Sequence, residues 1–572
     1  MKEGFRQSMA WLHTWSGLLV GWVLFMVFAT GTSAYFRDEI SRWMKPELHQ
    51  SGPATHADAA LSAAKAQDYL QAHAQGSNRW TIRLPDGREP GVSMFWPVPQ
   101  AQQPAAAAGG EQRPRRARFE NATIDPATGA RVEAPRQTRG GDFFYRLHFD
   151  LHYMPAVWAR WIVGFCAMFM LVAIVSGIVT HKRIFKDFFT FRPKKGQRSW
   201  LDAHNATAVL ALPYHLMITY TGLVTLMFLY MPWGPQAAYQ GDEQAFFAEV
   251  FPNNARNIGR PSGTAAPLVP LGGLVRQASE AWGGQPVARI TVSNPGDTTA
   301  RVTLFNENTR GVSSKQASMV FDGATGALLE RRGEVLPAAS ETHGVLYGLH
   351  IARFSNPFVR WLFFLSGLAG TVMVATGLLL WAVKERQKYA KALAKGGRIG
   401  WGLRLVDGLN VAAVAGLPLA MAAFFWANRL IPAGLADRSP LEITCFFTAW
   451  GAAAVAGIAW PARRMWQAQL AIGGLLFALL PVLNPLTGGA GLWTALPQGL
   501  WAIAGFDLTA LGLGLALLAC AWWIGKRKPA PKGTTRPAAA RPAAREESSL
   551  TPQAEPGLAT AHQALQSTGA TP

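Results

Sequence analysis

Four histidines stand at matched places along the chain, each beside or inside an apolar run. His13 precedes Thr30-Gly31 and His204 precedes Thr221-Gly222, with 18 residues from histidine to glycine both times. His148, in Tyr145-Arg146-Leu147-His148, and His350, in Leu346-Tyr347-Gly348-Leu349-His350, each stand before a long apolar stretch. Beyond them Arg160-Trp161 leads to Ser176-Gly177 and Arg360-Trp361 to Thr376-Gly377, with 16 residues from tryptophan to glycine in both. Ionisable side chains are costly in a bilayer and gather where they serve chemistry. Two imidazoles facing each other across a helix bundle are what a bis-histidine haem needs. The spacing pairs His13 with His204 at one depth and His148 with His350 at another.

Three further histidines join the candidate ligands. His152 follows His148 at i+4, which on a continuous helix shares its face. His215 lies 11 residues after His204, about three turns on and close to the same face. It is either a ligand at an intermediate depth or a packed polar residue. His181 ends a helix beside Lys182-Arg183, where a cation-friendly helix end is an equally good account. Arg146, Arg160, Arg353 and Arg360 flank the outer pair and could meet haem propionates. Gly177 and Gly377 fall beside the inner pair by residue count and could make room for a porphyrin. His49, His56, His73 and His562 read as surface residues, and His343 as part of a loop.

These residues need helices to place them. Of 572 residues, 49% are hydrophobic, yet they fall into apolar runs separated by polar blocks. About 20 apolar residues span a bilayer core. The runs predict eight spans, near 8–36, 156–181, 204–231, 357–383, 407–431, 441–460, 466–484 and 497–525. The first is too long for a cleavable signal. The formal charge of +20 comes largely from Lys and Arg beside these runs. Topology explains that charge without nucleic acid, because cytoplasmic loops carry the positive excess. Lys182, Arg183, Lys186, Lys194 and Lys195 place that loop inside, and with it both termini; the polar blocks are then external. Cys166, Cys445 and Cys520 sit within apolar runs and make no metal or disulfide motif.

The organisation that follows is helix 1 (1–36), an external domain (37–150), helix 2 (151–185), a cytoplasmic loop (186–203), helix 3 (204–231), a second external domain (232–345) and helix 4 (346–384). A linker (385–406), four more helices (407–525) and a disordered cytoplasmic tail (526–572) complete it. The first half holds two copies of one unit running in the same direction, which implies a pseudo-two-fold axis along the membrane normal. Each external block carries short strands and one matching turn, Asp125-Pro126-Ala127-Thr128-Gly129 and Asp322-Gly323-Ala324-Thr325-Gly326. An Ala/Gly/Pro/Arg-rich stretch near 100–118 reads as a mobile loop. One geometric difficulty stands out. On an unbroken helix 4, His350 and Gly377 would be about 40 Å apart. Either Pro155 and Pro357 let the outer histidines fold back, or an intermediate carrier sits near His215.

Trp11-Leu12-His13 with Thr30-Gly31, Tyr145-Arg146-Leu147-His148, Trp200-Leu201-Asp202-Ala203-His204 and the two Asp-x-Ala-Thr-Gly turns give residues 5–390 a resemblance to the PepSY-associated transmembrane family. Together with the eight apolar runs, the resemblance implies a membrane α-helical fold of about eight helices. Its first four form two parallel repeats, each with an inserted α+β PepSY-like periplasmic domain. It also implies a multi-pass protein of a bacterial inner membrane. It further implies two b-type haems and reduction of a ferric siderophore or another ferric chelate on the periplasmic side. The four C-terminal helices go beyond that pattern. The chain has no nicotinamide or flavin fingerprint, so a quinol or a separate reductase must donate the electrons. Two readings compete: a transporter of haem or a metal–siderophore, and a PepSY-type sensor or scaffold with structural histidines. Asp507 and Glu442, the carboxylates open to a transporter, read as interfacial.

Overall fold

The computed structural model describes residues 3–49, 58–86, 88–99, 118–132, 135–181, 184–187, 190, 192–193, 195–251, 259–307 and 311–526. The loop near 100–118, His56, His562 and the C-terminal tail lie almost wholly outside these residues. The helices used below are α1 (Glu3–Ala34), α2 (Arg37–Trp43), α3 (Ala59–His73), α4 (Gly141–Asp150), α5 (Ala156–Thr180), α6 (Gln197–Leu210) and α7 (Leu212–Thr225). They continue with α8 (Leu271–Ala281), α9 (Ala338–Ile351), α10 (Pro357–Lys388), α11 (Trp401–Leu430), α12 (Arg438–Ala459), α13 (Arg463–Ala478), α14 (Leu480–Leu486) and α15 (Trp501–Lys526). The strands are β1 (Arg79–Arg83), β2 (Val92–Pro97), β3 (Phe119–Ile124), β4 (Val287–Ser293), β5 (Arg301–Asn306), β6 (Ser318–Asp322) and β7 (Leu328–Arg332). Among the described residues six helices are long and apolar enough to cross a membrane, or up to eight when each of two bent pairs, α6–α7 and α13–α14, is one span.

The spans depart from straight rods wherever proline removes a backbone donor. Helix 3, expected to run unbroken from 204 to 231, bends by 69° between α6 and α7, next to Pro213. The α13–α14 bend of 43° sits next to Pro481. A π-type turn at Val411–Ala415 interrupts α11 just before Pro418. Helices 2 and 4 break on their outer side. Leu151, His152 and Tyr153 all have positive φ between α4 and α5, and Pro155 then caps α5. Ala352 is left-handed at the end of α9, and Asn356 accepts a hydrogen bond from the Val359 amide to start α10. Both proline sites therefore act as hinges, and α4 and α9 turn back onto the bundle.

The two polar blocks do not fold as separate α+β domains. Their strands form one antiparallel sheet in the order β3-β2-β1-β4-β5-β6-β7. The seam is β1 against β4, with Trp80 opposite Val292 and Ile82 opposite Ile290. Alternation assigns each residue a face. Ile82, Met94, Ile290, Val302, Leu304 and Phe321 are buried against α3 and α8, each worth roughly 1.5–3 kcal/mol as a buried apolar side chain. The two helices also lock to each other. Gln67 of α3 accepts the Leu271 amide at the start of α8 and donates to the Val269 carbonyl. Among the described residues no helix pair packs in this way on the opposite face, which bears Arg79, Thr81, Arg289 and Thr291.

The C-terminal helices join the first half through buried polar contacts. Trp43 Nε1 donates to Asp507, which also accepts from Asn484. Arg429 donates to the Trp43 carbonyl and to Asn484. Glu442 pairs with Arg438 and accepts from Asn428 and Thr138. Asp507 and Glu442 are thus fully buried seam residues rather than interfacial ones. Removing one partner of such a buried pair costs about 3–5 kcal/mol. His49 is also buried, not at the surface. Its Nε2 faces the Arg42 and Trp43 carbonyls and its Nδ1 accepts from the Ala490 amide.

Candidate paired-histidine centre

The four repeat-related histidines meet in pairs. His13 of α1 and His204 of α6 have ring centres 6.2 Å apart, with planes at 67°. His148 of α4 and His350 of α9 have ring centres 6.2 Å apart, with planes at 39°. Each pair lines its own cavity, of about 440 Å³ for the inner and 370 Å³ for the outer.

One local device fixes all four rings. Each imidazole lies on a glycine of another helix. A Cβ at Gly177 or Gly377 would come 3.1 Å from Cε1 of His13 or His204. At Gly31 it would come 2.6 Å from Cε1 of His148, and at Gly222 3.0 Å from that of His350. Four residues before the glycine, a carbonyl takes the ring Nδ1. Ala173 accepts from His13 at 2.8 Å, Met373 from His204 at 2.9 Å and Val27 from His148 at 2.7 Å. For His350 the acceptor at Nδ1 is the Thr221 hydroxyl at 3.1 Å, beside the carbonyl of Ile218. The missing side chain lets the ring approach the backbone closely enough to bond. Nδ1 is then the protonated nitrogen, so Nε2 presents its lone pair. The residue before each glycine is Thr30, Ser176, Thr221 or Thr376. All four are buried, and their hydroxyls turn back to their own helix.

The hinges resolve the 40 Å difficulty. The Val27 carbonyl that holds His148 lies 14 residues along α1 from His13, about 21 Å. Leu24 and Met170 line both cavities. Between them sits His215, fully buried, edge-on to Phe28 at 6.1 Å. The Ser366 and Ala208 carbonyls approach its ring, but neither ring nitrogen makes a hydrogen bond.

The remaining candidates separate. His181 caps α5, bonds Asn205 at 3.0 Å and stands at the mouth of the inner cavity. His152 leaves the outer pair altogether. The helix has ended at Asp150, so i+4 no longer means the same face, and the ring stacks on Phe447 at 5.4 Å. Of the four arginines only Arg160 lines the outer cavity, held by Asp150 at 2.8 Å. Arg146 is exposed, with Asp150 at 3.6 Å. Arg353 does not line that cavity and lies close enough to Arg289 of β4 to repel it. Arg360 points to a different cavity and pairs with Glu39 at 2.8 Å, because the break at Ala352 puts the start of α10 on the side of α2. Sequence reasoning missed Tyr145, Tyr214, Tyr230 and Tyr347 around the outer pair and Lys384 at the inner mouth. Tyr145 and Tyr347, three residues before each outer histidine, carried a readable signal. Lys384 was indistinguishable from a topology charge.

Above the outer pair this opposite sheet face holds a hollow of about 390 Å³. Arg79, Arg289 and Lys315 line it with Phe95, Phe251 and Phe305, and among the described residues no carboxylate does. Lys315 Nζ sits over Phe251 at 4.1 Å and Arg289 over Phe305 at 4.0 Å. Burial lowers the Lys315 ammonium to about 8. Burial, then the neighbouring Arg83 and Arg353, holds Arg289 below its ordinary value.

No curated protein matches the chain. The family described as the PepSY-associated TM region matches residues 10–384, about two thirds of the chain. The match takes in both histidine pairs, their glycines and every strand of the sheet, and the chain belongs to that family.

Proposed function

We propose that each histidine pair holds one b-type haem and that the chain passes electrons through a bacterial inner membrane to a ferric chelate on its periplasmic side. The observation that carries this is the 6.2 Å between ring centres, found twice. A metal–imidazole bond of about 2.0 Å, plus roughly 1.1 Å from nitrogen to ring centre, puts two rings on one metal about 6.2 Å apart. The donor chemistry agrees. Among the described residues no three His, Cys, Asp or Glu side chains converge. A porphyrin brings four ligands of its own and asks the protein for two. Nδ1 anchoring orients each ring and raises its basicity, as outer-shell partners of metal-bound histidines do.

When bound, haem supplies a one-electron centre at each depth. The chain's residues do the rest. The glycines open the slots, the apolar lining excludes water, and Arg160 and Lys384 stand where propionates would end. His215 is read as a packed polar residue between the centres. The cationic, aromatic hollow on the sheet suits an anionic ferric chelate such as a ferric siderophore. Reduction there loosens the iron, because Fe(II) binds hard-oxygen chelators far less tightly than Fe(III).

An absorption spectrum of the purified chain, oxidised and dithionite-reduced, with a pyridine haemochrome count, tests the reading. The expected result is a Soret band, sharp reduced α and β bands and about two haems per chain. A colourless protein from haem-replete cells would overturn it. A reporter fused near residue 120 should be active only in the periplasm.

A further inference from the structure

One further cavity contains neither histidine pair. It measures about 980 Å³ and opens between the family unit and the C-terminal helices. Two aromatic walls face across it. Phe36, Trp361 and Phe364 form one, with Phe36 4.8 Å from Trp361 and 5.4 Å from Phe364. Phe425, Phe477 and Phe506 form the other, with Phe425 5.0 Å from Phe506. The second wall belongs wholly to helices outside the family match.

The outer end is polar and already balanced in charge. Arg88 and Arg360 share the Glu39 carboxylate at 2.7 and 2.8 Å, and Arg88 also holds Asp38 at 3.0 Å. Arg42 and Asp86 complete the rim. An anionic headgroup would face Glu39 and Asp86 with the arginines engaged. A neutral ring with hydrogen-bonding oxygens meets donors and acceptors instead. Flat shape suits the space between aromatic walls, and a long apolar tail suits the membrane-side remainder.

The position is equally specific. Ser33 and Phe36 line this cavity, while Thr32, Ala34 and Tyr35 line the outer histidine cavity. The two spaces lie on opposite faces of the end of α1, one helix diameter apart, about 10 Å.

We propose that this cavity binds an isoprenoid quinol, with the ring between the aromatic walls and its oxygens at the Glu39–Arg88–Arg360 end. This deepens the electron-carrier reading and rests on it for the fate of the electrons, not for occupancy. Oxidation breaks the two quinol O–H bonds. The two protons leave past Glu39 and Asp86 to external water. With haem held by His148 and His350, a one-electron acceptor would stand across α1, and the two electrons, taken singly, would suffice for two ferric chelates.

The test uses the full-length chain in nanodiscs with decylubiquinone as the probe. Binding is read as loss of free quinone, and solvent extraction identifies what co-purifies. We expect one saturable site per chain. Gly505→Leu and Thr509→Leu, one turn apart on the cavity wall of α15, should each weaken binding at least about tenfold. A Cβ at Gly505 meets nothing within 4 Å, so the plug grows without a clash, and the two variants block by independent routes. Unchanged binding in both, or tightly held phospholipid that decylubiquinone does not displace, would overturn the site. A haem-free spectrum with intact quinone binding would sink the electron-carrier reading and leave the site standing.

Discussion

The inner and outer histidine pairs share one framework and differ in what surrounds it. Both inner rings give Nδ1 to backbone carbonyls, and their cavity is mostly apolar, with His215 inside it and His181, Asn205, Gln197 and Lys384 among its other polar lining. The outer pair has one carbonyl and one hydroxyl acceptor, planes 28° closer to parallel (67° against 39°), and tyrosines and Arg160 around it. The glycine–carbonyl device therefore sets where a ring sits, and the neighbours set how that site differs from its counterpart. The pair nearer the sheet has tyrosines and an arginine that can vary around it; the other pair is held by backbone carbonyls.

The strongest way to break the comparison is to remove one ring. His13→Ala and His204→Ala should each halve the haem count, to about one per chain, with the same spectral component lost. His350→Ala should remove the other component. A full count in all three would dismiss both pairs. Next comes the tightest glycine. Gly31→Ala places a methyl 2.6 Å from His148 and should empty the outer site, while Gly177→Ala, at 3.1 Å, should keep the inner one; pyridine haemochrome counts decide it.

Chelate binding should follow the Lys315 ammonium. Its value of about 8 lies below the ordinary 10.5, so the charge is lost as pH rises through 8. Affinity for an anionic ferric chelate should fall a few-fold between about pH 7 and 9, and Lys315→Gln should flatten the profile. Isothermal titration across that range reads both. The smallest effect sharpens the difference between acceptors. Thr221 donates to Met217 and so accepts from His350. Thr221→Val should raise the outer midpoint potential by up to about 40 mV, the one-electron equivalent of a hydrogen bond of about 1 kcal/mol. Thr376→Val should do less, because His204 keeps the Met373 carbonyl at 2.9 Å.

Equal spacing made the site legible. An 18-residue interval repeated from His13 and from His204 places histidine and glycine on equivalent turns whatever the bends between. The chain path at the hinges was harder to read. Prolines 155 and 357 marked the breaks, but the left-handed residues at 151–153 and 352 have no glycine to announce them. That hid the departure of His152 and the turning away of Arg360. The sheet was illegible for another reason. Strand patterns give faces, not partners, and β1 meets β4 two hundred residues later. The seam of the C-terminal helices hung on single buried contacts, such as Trp43 with Asp507, that no local pattern encodes.

The β1–β4 seam also bears on what half of this protein would be. Cut in the 186–203 loop, the first half would carry one imidazole at each depth and leave β1 as an open sheet edge, which invites another strand. The second half has the same deficits. Each is an incomplete protomer whose missing imidazole and missing strand are supplied together by one partner. The chain is in that sense a covalently tethered dimer, in which stoichiometry is guaranteed by synthesis and neither histidine pair can be assembled from unmatched halves.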